Sequence, residues 1–191
     1  MIQNFCRDCW NRSFDPTCIR TGKYECFSIS SYADVQKRLI RRAKFNADPF
    51  SSYVLEQQLI HAAPMIAKMT YDHVTCVPGL SSRLRTRKYD LPRSSAKRLA
   101  RKLGIPFSPH LLRRIGKPKK QMRSNREDRR LNVKNSFTAV GSLVGKKVLV
   151  VDDVYTTGAT CEAIINSLYE VHAQHVTLLV LAHTPESKKR P

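Results

Sequence analysis

The sequence predicts an α/β fold, a parallel sheet flanked by helices, with a small metal-binding module at the N-terminus. Three observations predict the sheet and its helices. Residues 148–151 (VLVV) are an apolar, mostly β-branched run, as in a strand buried on both faces. After an intervening loop, Gly158 opens a segment in which Ile164, Leu168 and Val171 fall at i, i+4 and i+7, so one face of a helix lies on the sheet. Residues 175–183 (HVTLLVLAH) form a second apolar strand, reached by a right-handed crossover.

In chain order, the first 31 residues carry four of the six cysteines. Cys6 and Cys9 form a CxxC knuckle that lets two thiolates grip one Zn²⁺, and Cys18 and Cys26 complete a tetrahedral structural site; the alternative is a set of buried or free thiols. A module spanning 1–31 is too short to bury a core, so metal binding would supply its folding energy, with Trp10, Phe14, Tyr24 and Phe27 as a packing layer. Cys76 and Cys161 read as small core residues of the main domain, 32–191.

Residues 32–45 read as a basic helix with Leu39, Ile40 and Ala43 inward and Lys37, Arg38, Arg41, Arg42 and Lys44 in solvent. A longer helix over 50–69 starts at Asp48 and Pro49, buries Val54, Leu55, Leu59 and Ala62, and is expected to kink or break at Pro64. His61 is an ordinary residue of that helix. Residues 73–77 are a short strand ending in a turn at Pro78 and Gly79, and 92–103 a helix entered at Pro92 and stopped by Gly104 and Pro106. A further short helix is expected near 124–131, and 185–191 reads as a polar, disordered tail. His172, His175 and His183 fall at element ends and are read as incidental.

Charge narrows the class of partner. The 191 residues hold 34 Lys and Arg against 15 acids, a net charge of +19, which calls for a polyanion such as nucleic acid or a phosphorylated substrate. The charge is concentrated in 83–134, where nineteen Lys and Arg stand against three acids. Few aromatics interleave there, only Tyr89 and Phe107, which favours contact with a phosphate backbone over reading of bases. Arg87, Lys88, Arg113, Arg114, Lys117, Lys119, Lys120 and Arg123 are the candidate nucleic-acid contacts. No apolar run approaches the ~18 residues of a membrane span, and 1–9 has no signal-peptide core, so a cytoplasmic location is expected.

The chemistry is carried by 148–160, VLVVDDVYTTGAT. A Thr- and Gly-rich loop at a helix N-terminus presents unpaired backbone N–H groups and the positive end of the helix dipole, to which Thr156, Thr157 and Thr160 add hydroxyls. Gly158 lets the backbone approach an anion closely. Such a loop is built for a phosphate monoester. Asp152 and Asp153 would repel the phosphate and need hydroxyls or a metal ion nearby; hydroxyls beside a phosphate describe a ribose 5-phosphate. A Walker loop at 141–147 is disfavoured, because three residues separate its glycines, no Ser or Thr follows the lysine, and the stretch precedes a strand.

On these residues the chain resembles the type I phosphoribosyltransferases, whose phosphoribosyl pyrophosphate motif has acids, threonines and glycine in the same register. The resemblance implies that Asp152 and Asp153 hold the ribose hydroxyls near Mg²⁺, and that Thr156, Thr157, Gly158, Ala159 and Thr160 cradle the 5-phosphate. It further implies that the loop after the strand at 73–77 takes the pyrophosphate, through Pro78, Gly79 and the charges of Arg83 or Arg85.

A longer resemblance, over nearly the whole chain, is to the ComF family of natural-competence proteins. It rests on the four cysteines, the strand ending in Val77 and Pro78, an Arg-rich loop, Lys120 and Gln121, REDRRLNV at 126–133, Phe137, the acid–threonine motif and HVTLLVLAHT. Where that family has Arg-Gly-Phe-Asn-Gln, this chain has Arg87, Lys88, Tyr89, Asp90 and Leu91. The resemblance implies a cytoplasmic protein of DNA uptake that binds single-stranded DNA and phosphoribosyl pyrophosphate with Mg²⁺, holds Zn²⁺, and meets other competence or DNA-translocation proteins. The alternative function is a purine or pyrimidine phosphoribosyltransferase of nucleotide salvage. No catalytic residue is assigned.

Overall fold

The computed structural model describes residues 7–20, 24–79, 89–115 and 136–185. Cys6, Arg83, Arg85, Arg87, Lys88, Lys117, Lys119, Lys120 and Arg123 lie outside these, as do the helix expected near 124–131 and most of the expected tail. The elements are α1 (Arg7–Ser13), β1 (Thr17–Arg20), β2 (Glu25–Ser28), α2 (Asp34–Asn46), α3 (Pro49–Ile66), β3 (His73–Cys76), α4 (Leu91–Leu103), β4 (Leu112–Arg114), β5 (Phe137–Ala139), β6 (Lys147–Tyr155), α5 (Ala159–Glu170) and β7 (His175–His183).

Apolar β-branched strands without alternation require cover on both faces, and the sheet has it. Its order is β1-β2-β7-β6-β3, with β2, β7, β6 and β3 parallel and β1 antiparallel at the edge. One core layer lies under α2, α3 and α4, where Ile40, Leu55, Leu59 and Leu99 meet Leu149, Val151 and Leu179. The other lies under α5 and the β4–β5 hairpin, where Ile164, Leu168 and Phe137 meet Val148, Val150, Leu178 and Val180. Cys76 and Cys161 are buried, as expected of small core residues.

The N-terminal stretch does not stand apart. β2 adds to the main sheet, with Cys26 paired to Leu178 and Phe27 to Leu179, so 25–28 share the domain's core. Two of the four expected zinc ligands, Cys18 and Cys26, fall in β1 and β2. Cys18 is opposite Phe27 and Ile19 is opposite Cys26, and cross-strand partners share a face, so Cys18 and Cys26 point to opposite sides of the sheet. Cys26 is fully buried in the α5-side core, where burial pushes its thiol up to about 12, reinforced by Asp152 and Cys18. Cys9 lies in α1, and no group of three or more metal-ligating side chains occurs among the described residues. Phe14 packs with Trp10, ring centroids 5.4 Å apart, and both rings sit edge-on to His61 of α3.

The helix over 50–69 runs instead from Pro49 to Ile66, and Pro64 sits in its last turn without breaking it earlier. Its N-cap is Asp48, whose carboxylate accepts from the backbone N–H of Ser51 at 3.2 Å and from the Ser51 hydroxyl. These bonds, the Ser51 hydroxyl foremost, hold the Asp48 carboxyl below its ordinary value. A depressed folded-state pKa means that the stabilisation is fully present above the unfolded value, about 3.9, and is lost as pH falls through the lower folded one. Asp48→Ala is therefore expected to lower stability by about 1 kcal/mol at neutral pH and by progressively less below about pH 4. Urea unfolding of both proteins at neutral and acid pH checks this.

Candidate phosphate and ribose site

The acid–threonine motif occupies the C-terminal end of the central strand, but the strand does not stop at the acids. β6 continues through Asp152 and Asp153 to Tyr155, because β7 goes on pairing with it: Asp152 with Val180, Val154 with Ala182 and Tyr155 with His183. On the other flank the last bond to β3 is Val77 N–H to the Val151 carbonyl at 3.0 Å. The two acids thus emerge where β3 lets go, with Pro78 and Gly79 following directly in the chain. Ligands of open α/β sheets bind in crevices of this kind, outside the carboxyl ends of the strands.

Because alternate residues of a strand face opposite ways, the adjacent acids have different surroundings. Asp153 turns to the helical layer of α2, where its Oδ2 lies 2.5 Å from Lys44 Nζ. Both side chains are nearly buried, 10% exposed for Lys44 and 14% for Asp153. Asp152 turns toward α5. Its charge is felt by the thiols of Cys26 and Cys161, which burial already pushes up, and its Oδ1 accepts the Asp153 N–H at 2.8 Å. Lys44 was expected in solvent and is instead the buried counter-ion of the motif. The signal was present in the helix period: Gln36 and Ile40 are both buried, and Lys44 is the next residue four along.

The turn after β6 is built over two phenols. Gly158 has φ +77°, and a Cβ there would come within 2.6 Å of the Tyr155 hydroxyl and 3.2 Å of that of Tyr24. The two hydroxyls lie 3.4 Å apart, and burial raises both phenol pKa values. Gly158 is also the N-cap of α5 and has no side chain to accept from the first turn, so the helix N-terminus is left open to an anion. Thr156 and Thr157 are exposed beside it, while Ala159 and Thr160 are partly buried. Fold and loop bring Asp152, Asp153, Thr156, Thr157, Gly158, Ala159 and Thr160 to one end of one strand.

Tyr89 and Asp90 have structural uses. The Tyr89 hydroxyl donates to Glu56 at 3.1 Å and bonds Ser94, and Ser94 and Arg98 also bind Glu56, which is buried at 3% exposure. Asp90 caps α4 by accepting from the Arg93 N–H at 3.3 Å.

Of the residues expected to contact nucleic acid, Arg113 is exposed, while the Arg114 guanidinium lies over the Phe137 ring at 4.7 Å. Exposed cations also line α2 (Lys37, Arg38, Arg41, Arg42) and α4 (Arg93, Lys97, Arg101, Lys102). No described helix is long and apolar enough to cross a membrane.

The phosphoribosyl transferase domain family matches residues 96–191, which contain the whole acid–threonine motif. Competence protein F of Haemophilus influenzae is 28% identical over 162 residues, covering 81% of this chain and 70% of that protein. The DNA utilization protein YhgH of Salmonella typhi is 26% identical over 161 residues, covering 82% and 71%. Among solved structures, the glutamine phosphoribosylpyrophosphate amidotransferase of B. subtilis superposes with a TM-score of 0.52 at 23% identity, over 76% of this chain and 30% of that one, a likeness of fold. With the motif at the end of its central strand and these relatives beside it, the chain belongs to the phosphoribosyl transferase domain family, as a ComF-like member.

Proposed function

We propose that the chain binds phosphoribosyl pyrophosphate with Mg²⁺ at the end of β6, binds single-stranded DNA through its basic surface, and acts in the cytoplasm in DNA uptake during natural transformation. The observation that carries the first part is the acid pair followed by the open N-terminus of α5. The Thr156–Thr160 turn meets the 5-phosphate through backbone N–H groups and hydroxyls, and the carboxylates behind it accept from the ribose hydroxyls. Bound Mg²⁺ would neutralise the pyrophosphate as a leaving group; Asp153 suits a cation poorly, because Lys44 already meets its charge. Pro78 and Gly79 border the same end of the sheet and suit the pyrophosphate side. The DNA part is supported by the net charge of +19, by the exposed cations of α2, α4 and Arg113, and by the names of the relatives.

The test is a titration of labelled single-stranded DNA across salt concentrations, repeated with phosphoribosyl pyrophosphate and Mg²⁺. Tight binding that weakens steeply with salt and changes with the ligand is expected, since each phosphate contact releases counterions. Weak binding indifferent to the ligand would sink the reading in favour of a small-molecule salvage transferase, and a panel of free bases would then be screened for product.

A further inference from the structure

Every other Lys or Arg of α2 is exposed, yet Lys44 is buried at 8% exposure with its ammonium on Asp153. The placement is rigid. At one end of α2, Gln36 Nε2 donates to the Leu181 carbonyl of β7 at 2.7 Å; at the other, Lys44 reaches β6. The helix is therefore pinned across two neighbouring strands where the acid pair emerges. It stops just after Lys44, with Ala47 in the left-handed region at φ 51° and the Asp48 N–H returning to the Arg42 carbonyl. Neither the resemblance to known families nor the proposed ligand gives this lysine a role.

We infer that Lys44 is a positioning residue that reserves Asp153 for a neutral, hydroxyl-bearing ligand and keeps divalent cations off it. A Mg²⁺ or Mn²⁺ ion bound to Asp153 at the usual ~2.1 Å would lie within a few ångströms of a buried ammonium, with little water to screen the repulsion. A hydroxyl adds no charge; it donates to the free lone pairs of a carboxylate that Lys44 has already oriented. Lys44 thereby keeps Asp153 for a sugar hydroxyl. The sugar half of this rests on the phosphoribosyl reading above; the exclusion of cations does not.

The experiment has two arms, both on the full chain, with circular dichroism to verify folding. In the first, Mn²⁺ alone is titrated by electron paramagnetic resonance into wild type, K44Q, K44R and the double variant K44Q/D153N. K44Q is expected to gain one Mn²⁺ site that wild type and K44R lack and that the double variant loses. Equal Mn²⁺ binding by wild type and K44Q would overturn the inference. K44M, which keeps the bulk and removes the charge, replaces K44Q where that variant does not fold. In the second arm, phosphoribosyl pyrophosphate with Mg²⁺ is titrated into the same proteins, and K44Q is expected to bind about 10–100-fold more weakly, with K44R restoring most of the loss. Unchanged affinity in K44Q would overturn the positioning role. Failure of wild type itself to bind would overturn the phosphoribosyl reading, leaving the Mn²⁺ comparison to decide the role of Lys44.

Discussion

Gly158→Ala is expected to abolish binding of a phosphorylated ligand while leaving most of the fold in place. Two effects coincide at this residue. Its φ of +77° is a conformation that a side chain strains, at about 1–3 kcal/mol. The new Cβ would also sit 2.6 Å from the Tyr155 hydroxyl, with the Tyr24 hydroxyl at 3.2 Å closing the other escape. The turn must shift, and a shift of about 1 Å in a positioned site can cost about a hundredfold in function. Because the clash is with a hydroxyl, Tyr155→Phe in the same molecule should recover part of the lost stability. Calorimetric titration with phosphoribosyl pyrophosphate and thermal unfolding of the single and double variants measure both effects. A Gly158→Ala protein that binds like wild type would show that the turn absorbs the strain and the clash without moving the site.

The second large effect concerns stability. Removing one partner of a nearly buried ion pair leaves the other charge unsolvated, and such losses run at about 3–5 kcal/mol. Lys44→Met should therefore lower the unfolding free energy measured in urea by about 3 kcal/mol, the low end of that range, because the pair sits at the end of a strand near solvent. Adding Asp153→Asn should return much of the loss, since no uncompensated carboxylate is left. A Lys44→Met protein as stable as wild type would mean that Asp153 is solvated without it.

Much of the architecture was legible from periodicity. The strand at 175–183 was read with its observed bounds, and the helix at 92–103 differs from α4 by one residue. These segments signal themselves through continuous apolar runs or a clean helical period. Three features were hidden for identifiable reasons. β2 has four residues, too few for a pattern, and its pairing beside Leu178 comes from β7 and leaves no mark in the local sequence. The continuation of β6 through Asp152 and Asp153 was masked by their charge, because the pairing that keeps the strand going comes from β7. Lys44 was assigned to solvent by its residue type, although its position four along from Ile40 places it on the buried face. The composition of the acid–threonine loop was legible; the counter-ion brought to it by a helix over 100 positions earlier was not.

Whether the end of β6 is a phosphoribosyl pyrophosphate site is decided by calorimetric titration of that ligand with Mg²⁺ into wild type and into the Asp152→Asn/Asp153→Asn variant, whose folding is verified by circular dichroism because Asp153→Asn leaves Lys44 unpaired. Saturable, one-to-one binding by wild type is expected, with none by the folded variant, whose single-stranded DNA binding is intact or stronger, since two negative charges are gone. Binding by the variant equal to that of wild type, or no binding by either, would contradict that assignment.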